Sequence, residues 1–474
     1  MANSIIVDKL KRDFVQLMYD EAAGVTPGDS DNYFYIVVGR SQQWDPANSL
    51  DAPVPVPRAR ERDIKQFRYG LQSAKAVEGF SYVVPMIDWT AGTFYAAYND
   101  NIVSQTQSYY VRTTDNNIYV CIRSGKNAYG ASQNSTIKPD HINNTLTPEL
   151  DGYVWKYLYT ISTQDANRFL TTAFMPVRFV DSDFAVANPS YATQWAVAEA
   201  ANPKQIVGYR VTDGGGPYTD SGIDITVVGN GTGAKARAVL NASGAIAAIE
   251  VGDSANAPIN NCMGTGYNYA NIVIDNTLLA GGGTSATAVP IFGPVNGLGY
   301  DPRDDLRSTS IMFNIKPVGN VDGTWVTGTR GYRQYGLVKN IELPDSDTKF
   351  TDTSGIIADR MRFTETLSSG AISLSVDQKI HGQTSGAVAW LDFWDDSDTL
   401  WYHQDEDTGF TAFDSTGETI KIQQGDQVSN TLTMNTLVTP NIDRYSGDVY
   451  FISNGDVVAR DVGQTEDIKV VVKL

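Results

Sequence analysis

The side chains that most often carry chemistry are few and scattered in this sequence. Its three histidines, His141, His381 and His403, and its two cysteines, Cys121 and Cys262, stand far apart. A structural zinc site needs converging thiolates or imidazoles, normally with two ligands closely spaced, and no CxxC or HExxH run occurs. A serine nucleophile would bring a G-x-S-x-G turn or a readable histidine partner, and neither is present. Carboxylates are the reverse case: 54 Asp and Glu offer so many pairs that none stands out as the acid and base of a glycoside hydrolase. One acidic group is dense. Asp392, Asp395, Asp396 and Asp398 precede Asp405, Glu406 and Asp407, with Trp390, Trp394 and Trp401 among them. Calcium would require oxygen ligands converging from this group, yet the fixed Gly and closing Glu of an EF-hand are missing. The group reads as well-solvated loops; calcium, or contact with a basic partner, are its functional alternatives. Residues 229–235 read GNGTGAK. Glycines after a strand can cradle phosphate at a helix N-terminus, but Ala236-Arg237-Ala238-Val239-Leu240 alternates like a strand and the Walker spacing is absent, so this is a hairpin turn. No catalytic residue, cofactor site or metal site is legible, and the expectation is a protein that assembles and does not catalyse.

The chain that must position these residues has 474 of them, enough for several hydrophobic cores. Its net charge of −18 disfavours nucleic acid or an anionic membrane as partner, because phosphates require a basic footprint. No run approaches the 18 or so apolar residues of a membrane span, and no charged n-region leads into an apolar stretch, so ordinary secretion is not expected. Two distant cysteines suggest reduced thiols and a cytosolic folding environment.

Residues 4–22 form the one clear amphipathic helical pattern. Ile6, Leu10, Phe14, Leu17 and Met18 recur at helical spacing, with Ser4 as N-cap and Gly24 as stop. Its apolar face is expected to pack on the body, with docking on a partner as the alternative. Nearly everything after it is strand-like: Tyr33–Val38, Ile118–Ile122, Tyr153–Tyr159 and Asp467–Leu474 are aromatic or β-branched runs bounded by turn residues. Strands do not alternate with long helices. The expected class is therefore mainly β, with antiparallel sandwich-like or barrel-like domains, one N-terminal amphipathic helix and two inserted β modules.

Composition divides the chain into 1–202, a Gly-rich module at 203–295, a segment at 296–349, a second module at 350–433 and closing strands at 434–474. The first module repeats internally. Gly216-Pro217-Tyr218 aligns with Thr265-Gly266-Tyr267, and Ile223 and Ile225 align with Ile272 and Ile274, both 49 residues on. Gly231–Ala234 aligns with Gly283–Ala286, 52 residues on. Each copy reads as strand, glycine turn, strand, and the two together can close a module that neither forms alone. Upstream, Pro53, Pro55 and Pro57 alternate before Arg58, Arg60 and Arg62. Alternate prolines remove every second amide donor and favour an extended crossing, here read as a connecting or docking arm.

Several segments, taken in order, resemble one family: the small baseplate wedge subunit of T-even-like contractile-tailed bacteriophages, the gene product eight class. Tyr35-Ile36-Val37-Val38-Gly39-Arg40-Ser41 with Trp44 looks like its strand ending in Gly-Arg-Ser and the Trp after it. The proline-rich crossing at 53–57 and Val84-Pro85 with Asp88-Trp89 are similar to the elements that follow. Asp151-Gly152-Tyr153-Val154-Trp155 is the most specific match, and Asn167-Arg168 leading to Pro176 resembles the next segment. Gly331-Tyr332-Arg333-Gln334, Ser446-Gly447-Asp448-Val449-Tyr450 and Gln464-Thr465-Glu466-Asp467-Ile468 look like its later strands. The resemblance spans about residues 1–180, 305–345 and 444–474; the modules at 203–295 and 350–433 depart from it and look like loop insertions.

The resemblance implies a mainly β, non-enzymatic virion component without cofactor. It would be assembled in the host cytoplasm into the tail baseplate, and would rearrange on sheath contraction. It implies a homodimer that joins wedge proteins of the gene product six, seven and ten classes, with no nucleic acid and no membrane insertion. Under that reading the candidate interface residues are Arg40, Trp44, Pro53, Pro55, Pro57, Arg58, Arg60, Arg62 and Arg333, since Arg and aromatic side chains concentrate at interface centres. For Trp44 and Trp155, packing within their own domain is the favoured reading. A host-surface glycan-binding adhesin or tail-fibre protein is the alternative, suggested by the aromatic, Gly- and Asn-rich β modules.

Overall fold

The computed structural model describes residues 8–24, 32–44, 61–101, 108–253, 259–317, 331–351, 360–363, 374–394, 399–414, 417–424, 427–459 and 464–474. The chain is mainly β with antiparallel sheets. It divides into two compact units: Met1–Val15 with Ser81–Ser310 and Leu474, and Gln16–Phe80 with Ile311–Lys473.

The first unit is organised by a four-stranded sheet in the order Tyr110–Arg112, Asn117–Arg123, Val154–Thr160, Leu146–Pro148. The two central strands are apolar without alternation because both faces are covered: each buries its first six residues. Trp155 stacks on Tyr153 at 5.6 Å and meets the edge of Tyr95 at 5.7 Å. Buried tyrosines keep their hydroxyls satisfied: Tyr119 donates to the His141 carbonyl and Tyr153 to that of Gln133, both at 2.8 Å. Asp151, from the most specific segment of the resemblance, accepts from the amides of Thr136 at 2.8 Å and Ile137 at 3.0 Å and fixes that loop.

The Gly-rich repeat closes by exchange. Among the described residues, all five ladders of the module join one copy to the other. Gly216–Tyr218 pairs with Leu279–Thr284, and its counterpart Met263–Thr265 pairs with Thr232–Ala234. The registers are reciprocal: Gly216 faces Thr284, and Thr265 faces Thr232. Ile206–Asp213 pairs with Thr287–Phe292, while Ile246–Val251 pairs with Ala236–Leu240. Val211 faces Ala288 as Val251 faces Ala236, and both ladders break register at their last pair, Ile206 with Phe292 and Ile246 with Leu240. The central strands Ile225–Gly229 and Ala270–Ile274 pair with each other, Ile225 facing Ile274 and Val227 facing Ile272. Side chains repeat the exchange: the Tyr218 hydroxyl accepts from the Ala286 amide at 2.9 Å, and that of Tyr267 from the Ala234 amide at 3.3 Å. Glycine is required where the copies touch. Gly215 and Gly264 have φ of 53° and 62°. A Cβ on Gly215 would lie 2.5 Å from the Ala286 nitrogen, and one on Gly264 2.5 Å from the Ala234 nitrogen.

The expectation of a single helix needs correction. Besides Asp8–Ala22, the structure has helices at Glu61–Tyr69, Thr163–Phe169, Ser182–Ala187, Ala192–Glu199 and Pro302–Asp305. They are short, and the apolar period scarcely develops over two turns; local caps define them instead. Ser162 accepts from the Asp165 amide and Asp181 from the Phe184 amide. Ser4 and Ile6 of the first helical pattern lie outside the described residues. The helix Asp8–Ala22 does not bury the expected face. Leu10, Phe14 and Leu17 are 43%, 51% and 50% exposed, whereas Val15 on the other side is fully buried. On the covered side Arg12, three residues before Val15, pairs with Asp304 at 3.1 Å.

In the second unit, a four-stranded sheet runs Leu71–Ala76, Phe34–Gly39, Gly331–Lys339, Asp448–Ala459. Its core gathers Tyr35, Val37, Phe67, Leu71, Ile341 and Ile442. A closed six-stranded barrel follows, in the order Arg360–Phe363, Thr399–His403, Val388–Trp394, Lys379–Gly382, Thr419–Gln424, Gln427–Val438. Inward-facing Ile380, Ala389, Leu391, Leu400, Ile420 and Ile422 fill it. Buried Glu418 ties one end: its carboxylate accepts from the amides of Thr384, Ser385 and Asp414 at 2.9, 2.6 and 2.8 Å and from the Ser385 hydroxyl at 2.7 Å.

Candidate functional site

In the second unit, three of the candidate residues picked from sequence converge. The strand Phe34–Gly39 ends where Gly39 passes the next strand; a Cβ there would lie 2.4 Å from the Gly70 oxygen. Arg40 then turns in the left-handed region with φ 59°, held by its amide on the Gly70 carbonyl at 2.8 Å. This turn lays the Arg40 guanidinium over the Trp44 ring, 3.9 Å from its centroid. Trp44 in turn donates its indole N–H to the Gly455 carbonyl at 2.9 Å. Arg333 reaches the same place because Gly39 pairs with Gln334. Its amide donates to the Arg40 carbonyl at 3.1 Å and its guanidinium to the Ser41 carbonyl.

The next shell comes from the barrel. Ser41 Oγ donates to Asp392 Oδ1 at 2.6 Å, and His403 Nδ1 contacts the same oxygen at 2.7 Å. The amide of Gln43 donates to Asp377 Oδ2 at 3.4 Å. Burial pushes the Arg333 guanidinium below its usual value, with Asp377 opposing, and pushes the Asp377 carboxyl up, with the Gln43 amide opposing. Serine, aspartate and histidine side by side invite comparison with a catalytic triad, but the order of contacts differs. Both Ser41 and His403 bond the carboxylate, and in a triad the hydroxyl bonds the imidazole that deprotonates it. This arrangement joins strand end to barrel.

Beside it opens a cleft of about 640 Å³, with Arg40, Arg62 and Lys65 among its lining residues and Asp405, Glu406 and Asp407 also among them. Arg62 is exposed on the helix Glu61–Tyr69. That helix is clamped by Arg68, which donates to the carbonyls of Ser446 at 2.7 Å and Gly447 at 2.6 Å, and by Arg444 on the Tyr69 carbonyl at 2.9 Å. Tyr69, Phe410 and Tyr445 form an aromatic cluster with ring centroids 5.5 to 6.3 Å apart.

Pro53, Pro55, Pro57, Arg58 and Arg60 lie outside the described residues, as do Asp395, Asp396 and Asp398 of the acidic group. The described acids of that group are not all solvated as expected. Asp392 is buried, and Asp405 spans its turn, accepting from the amides of Asp407 and Thr408 at 3.0 Å and from the Trp390 indole at 2.9 Å. Among the described residues no group of three or more His, Cys, Asp or Glu side chains could hold a metal ion. Trp155 is fully buried in the first unit, a packing residue.

Sequence reasoning missed His403, Asp392 and Ser41 as partners. Ser41 and Asp392 are 351 positions apart, and no local motif marks such a pair. No protein-family model matches the sequence, and no curated protein matches it.

Proposed function

We propose that this chain is a structural wedge subunit of a contractile phage tail baseplate, built into the virion in the host cytoplasm. In this reading it dimerises, links other wedge proteins of the gene product six, seven and ten classes into the ring around the hub, and rearranges on sheath contraction without performing a reaction. The ordered sequence resemblance supplies the identity. The observation that supports an assembly role is the outward apolar stripe Leu10, Phe14 and Leu17 on a chain of net charge −18. Three large apolar side chains in line on one helix face favour a partner surface that covers them. The cluster of Arg40, Trp44 and Arg333 is then chiefly internal bracing, and Arg62 remains as an exposed contact residue.

Light scattering on the purified chain, alone and with wedge partner proteins, tests this. A dimer that moves into a larger complex is the expected result. Phe14→Asp should abolish that shift while leaving the melting temperature within a few degrees, because Phe14 is already half exposed. An elongated trimer that ignores the partners and binds host glycans would replace this reading with the adhesin alternative.

A further inference from the structure

In the first unit, Lys156 lies on the central strand Val154–Thr160 with only 5% of its surface exposed. Its ammonium nitrogen donates to the carbonyl of Asn144. That acceptor is neutral, and an ammonium buried without a bonded carboxylate is costly, so burial shifts the balance toward the neutral amine. The nearest acid to influence it, Asp305, is fully buried and directs Oδ2 to the Gly299 amide at 2.9 Å. Burial raises the Asp305 carboxyl well above the usual range, which weakens its hold on the lysine charge. Burial also pulls the Lys156 amine down to about 8, with Asp305 opposing. Lys156 is one of the residues lining an open chamber of about 300 Å³, with Asn144, Thr145, Leu146, Asn202, Gln205 and Leu298 among the others. Thr145 is exposed and Leu298 buried, so the lining runs from surface to interior.

We propose that Lys156 is a reactive amine that forms an imine with a small aldehyde or ketone admitted to this chamber. The nitrogen lone pair adds to the carbonyl carbon, a proton passes from nitrogen to oxygen, and water leaves as the C=N bond forms. The step is redox-neutral and needs no co-reactant. The amide side chains of the lining supply donors and acceptors for a carbonyl or hydroxyl oxygen, and the volume admits compounds of a few heavy atoms. This inference does not depend on the assembly role proposed above.

The test is reductive methylation of the full-length chain with formaldehyde as probe and cyanoborohydride as hydride donor, read by peptide mass spectrometry. Lys65, exposed on its helix, is the internal reference. At pH 7.5 Lys156 should be methylated at least about tenfold faster than Lys65, because burial lowers the Lys156 amine and frees more of it from its proton. Thr145→Trp, a change at an exposed lining position, should slow Lys156 and leave Lys65 unchanged. Modification of Lys156 no faster than Lys65 at pH 7.5 would overturn the reactive amine. An unchanged Lys156 rate in Thr145→Trp would overturn the chamber as its route of access.

Discussion

The Gly-rich repeat module and the six-stranded barrel are both all-antiparallel, but they are put together differently. The barrel closes one ladder on itself and packs apolar side chains inside it. The repeat module has no closed ladder. It pairs each strand of one copy with a strand of the other, in two-stranded ladders with glycines where the copies touch. The barrel therefore draws its stability from a filled interior, and the module, besides burying Tyr209, Ile246 and Ile249, depends on backbone geometry at the places where its copies touch. Side-chain truncation should wound the first, and a single added methyl the second.

Leu400→Ala offers the hardest blow to the barrel. Leu400 is fully buried in its core, so the loss should be about 2–5 kcal/mol in chemical denaturation. Glu418→Gln should cost about 2–3 kcal/mol, since an amide cannot accept from all the donors that converge there. Its pH dependence sharpens the contrast. Burial alone would raise the Glu418 carboxyl, but the Ser385, Asp414 and Thr384 donors outweigh it and hold it below the ordinary glutamate range. A carboxyl held lower in the folded state stabilises above its unfolded pKa, and that contribution is lost as pH falls through the folded one. Acid melts should thus weaken the wild-type barrel progressively, and Glu418→Gln should flatten that slope.

For the module, Gly215→Ala and Gly264→Ala should each cost about 1–3 kcal/mol, combining left-handed strain with a backbone clash. Because the two sites are counterparts, their effects should match within experimental error by hydrogen exchange across residues 206–292. Clearly unequal losses would break the claim that the exchange is symmetric. The smallest effect belongs to the charge pair Arg237 and Glu250, which face each other across one ladder. Its counterpart in the other ladder is Val289 with Arg210. Arg237→Met should cost no more than about 1 kcal/mol in a urea titration, since the exchange does not rest on this ion pair.

The repeat was legible in part. Spacings of 49 and 52 residues located two glycine turns and their flanking strands, and the observed registers at Gly216 with Thr284 and Thr265 with Thr232 follow that alignment. The first strand of each copy escaped notice. Ile206, Val211 and Asp213 recur as Ile246, Val251 and Asp253 at a spacing of 40, and the connectors that follow differ in length. At the candidate site, Arg40, Trp44 and Arg333 were picked out singly. Only the pairing of Gly39 with Gln334 brings them together, and nothing in the sequence foretells Ser41 against Asp392.

By itself, the sequence determined the class of fold: aromatic and β-branched runs broken by Gly, Asn and Asp admit short antiparallel strands and little else. It also determined that two copies of one strand unit would share a module. Tertiary structure alone decided which copy each strand pairs with, because identical hydrogen-bonding edges do not name their partner in one dimension. It decided too which side of the first helix is buried. Leu10, Phe14 and Leu17 carry the apolar period, but Val15 is the fully buried side chain, and Arg12 on its side of the helix is held by Asp304, so the stripe faces outward.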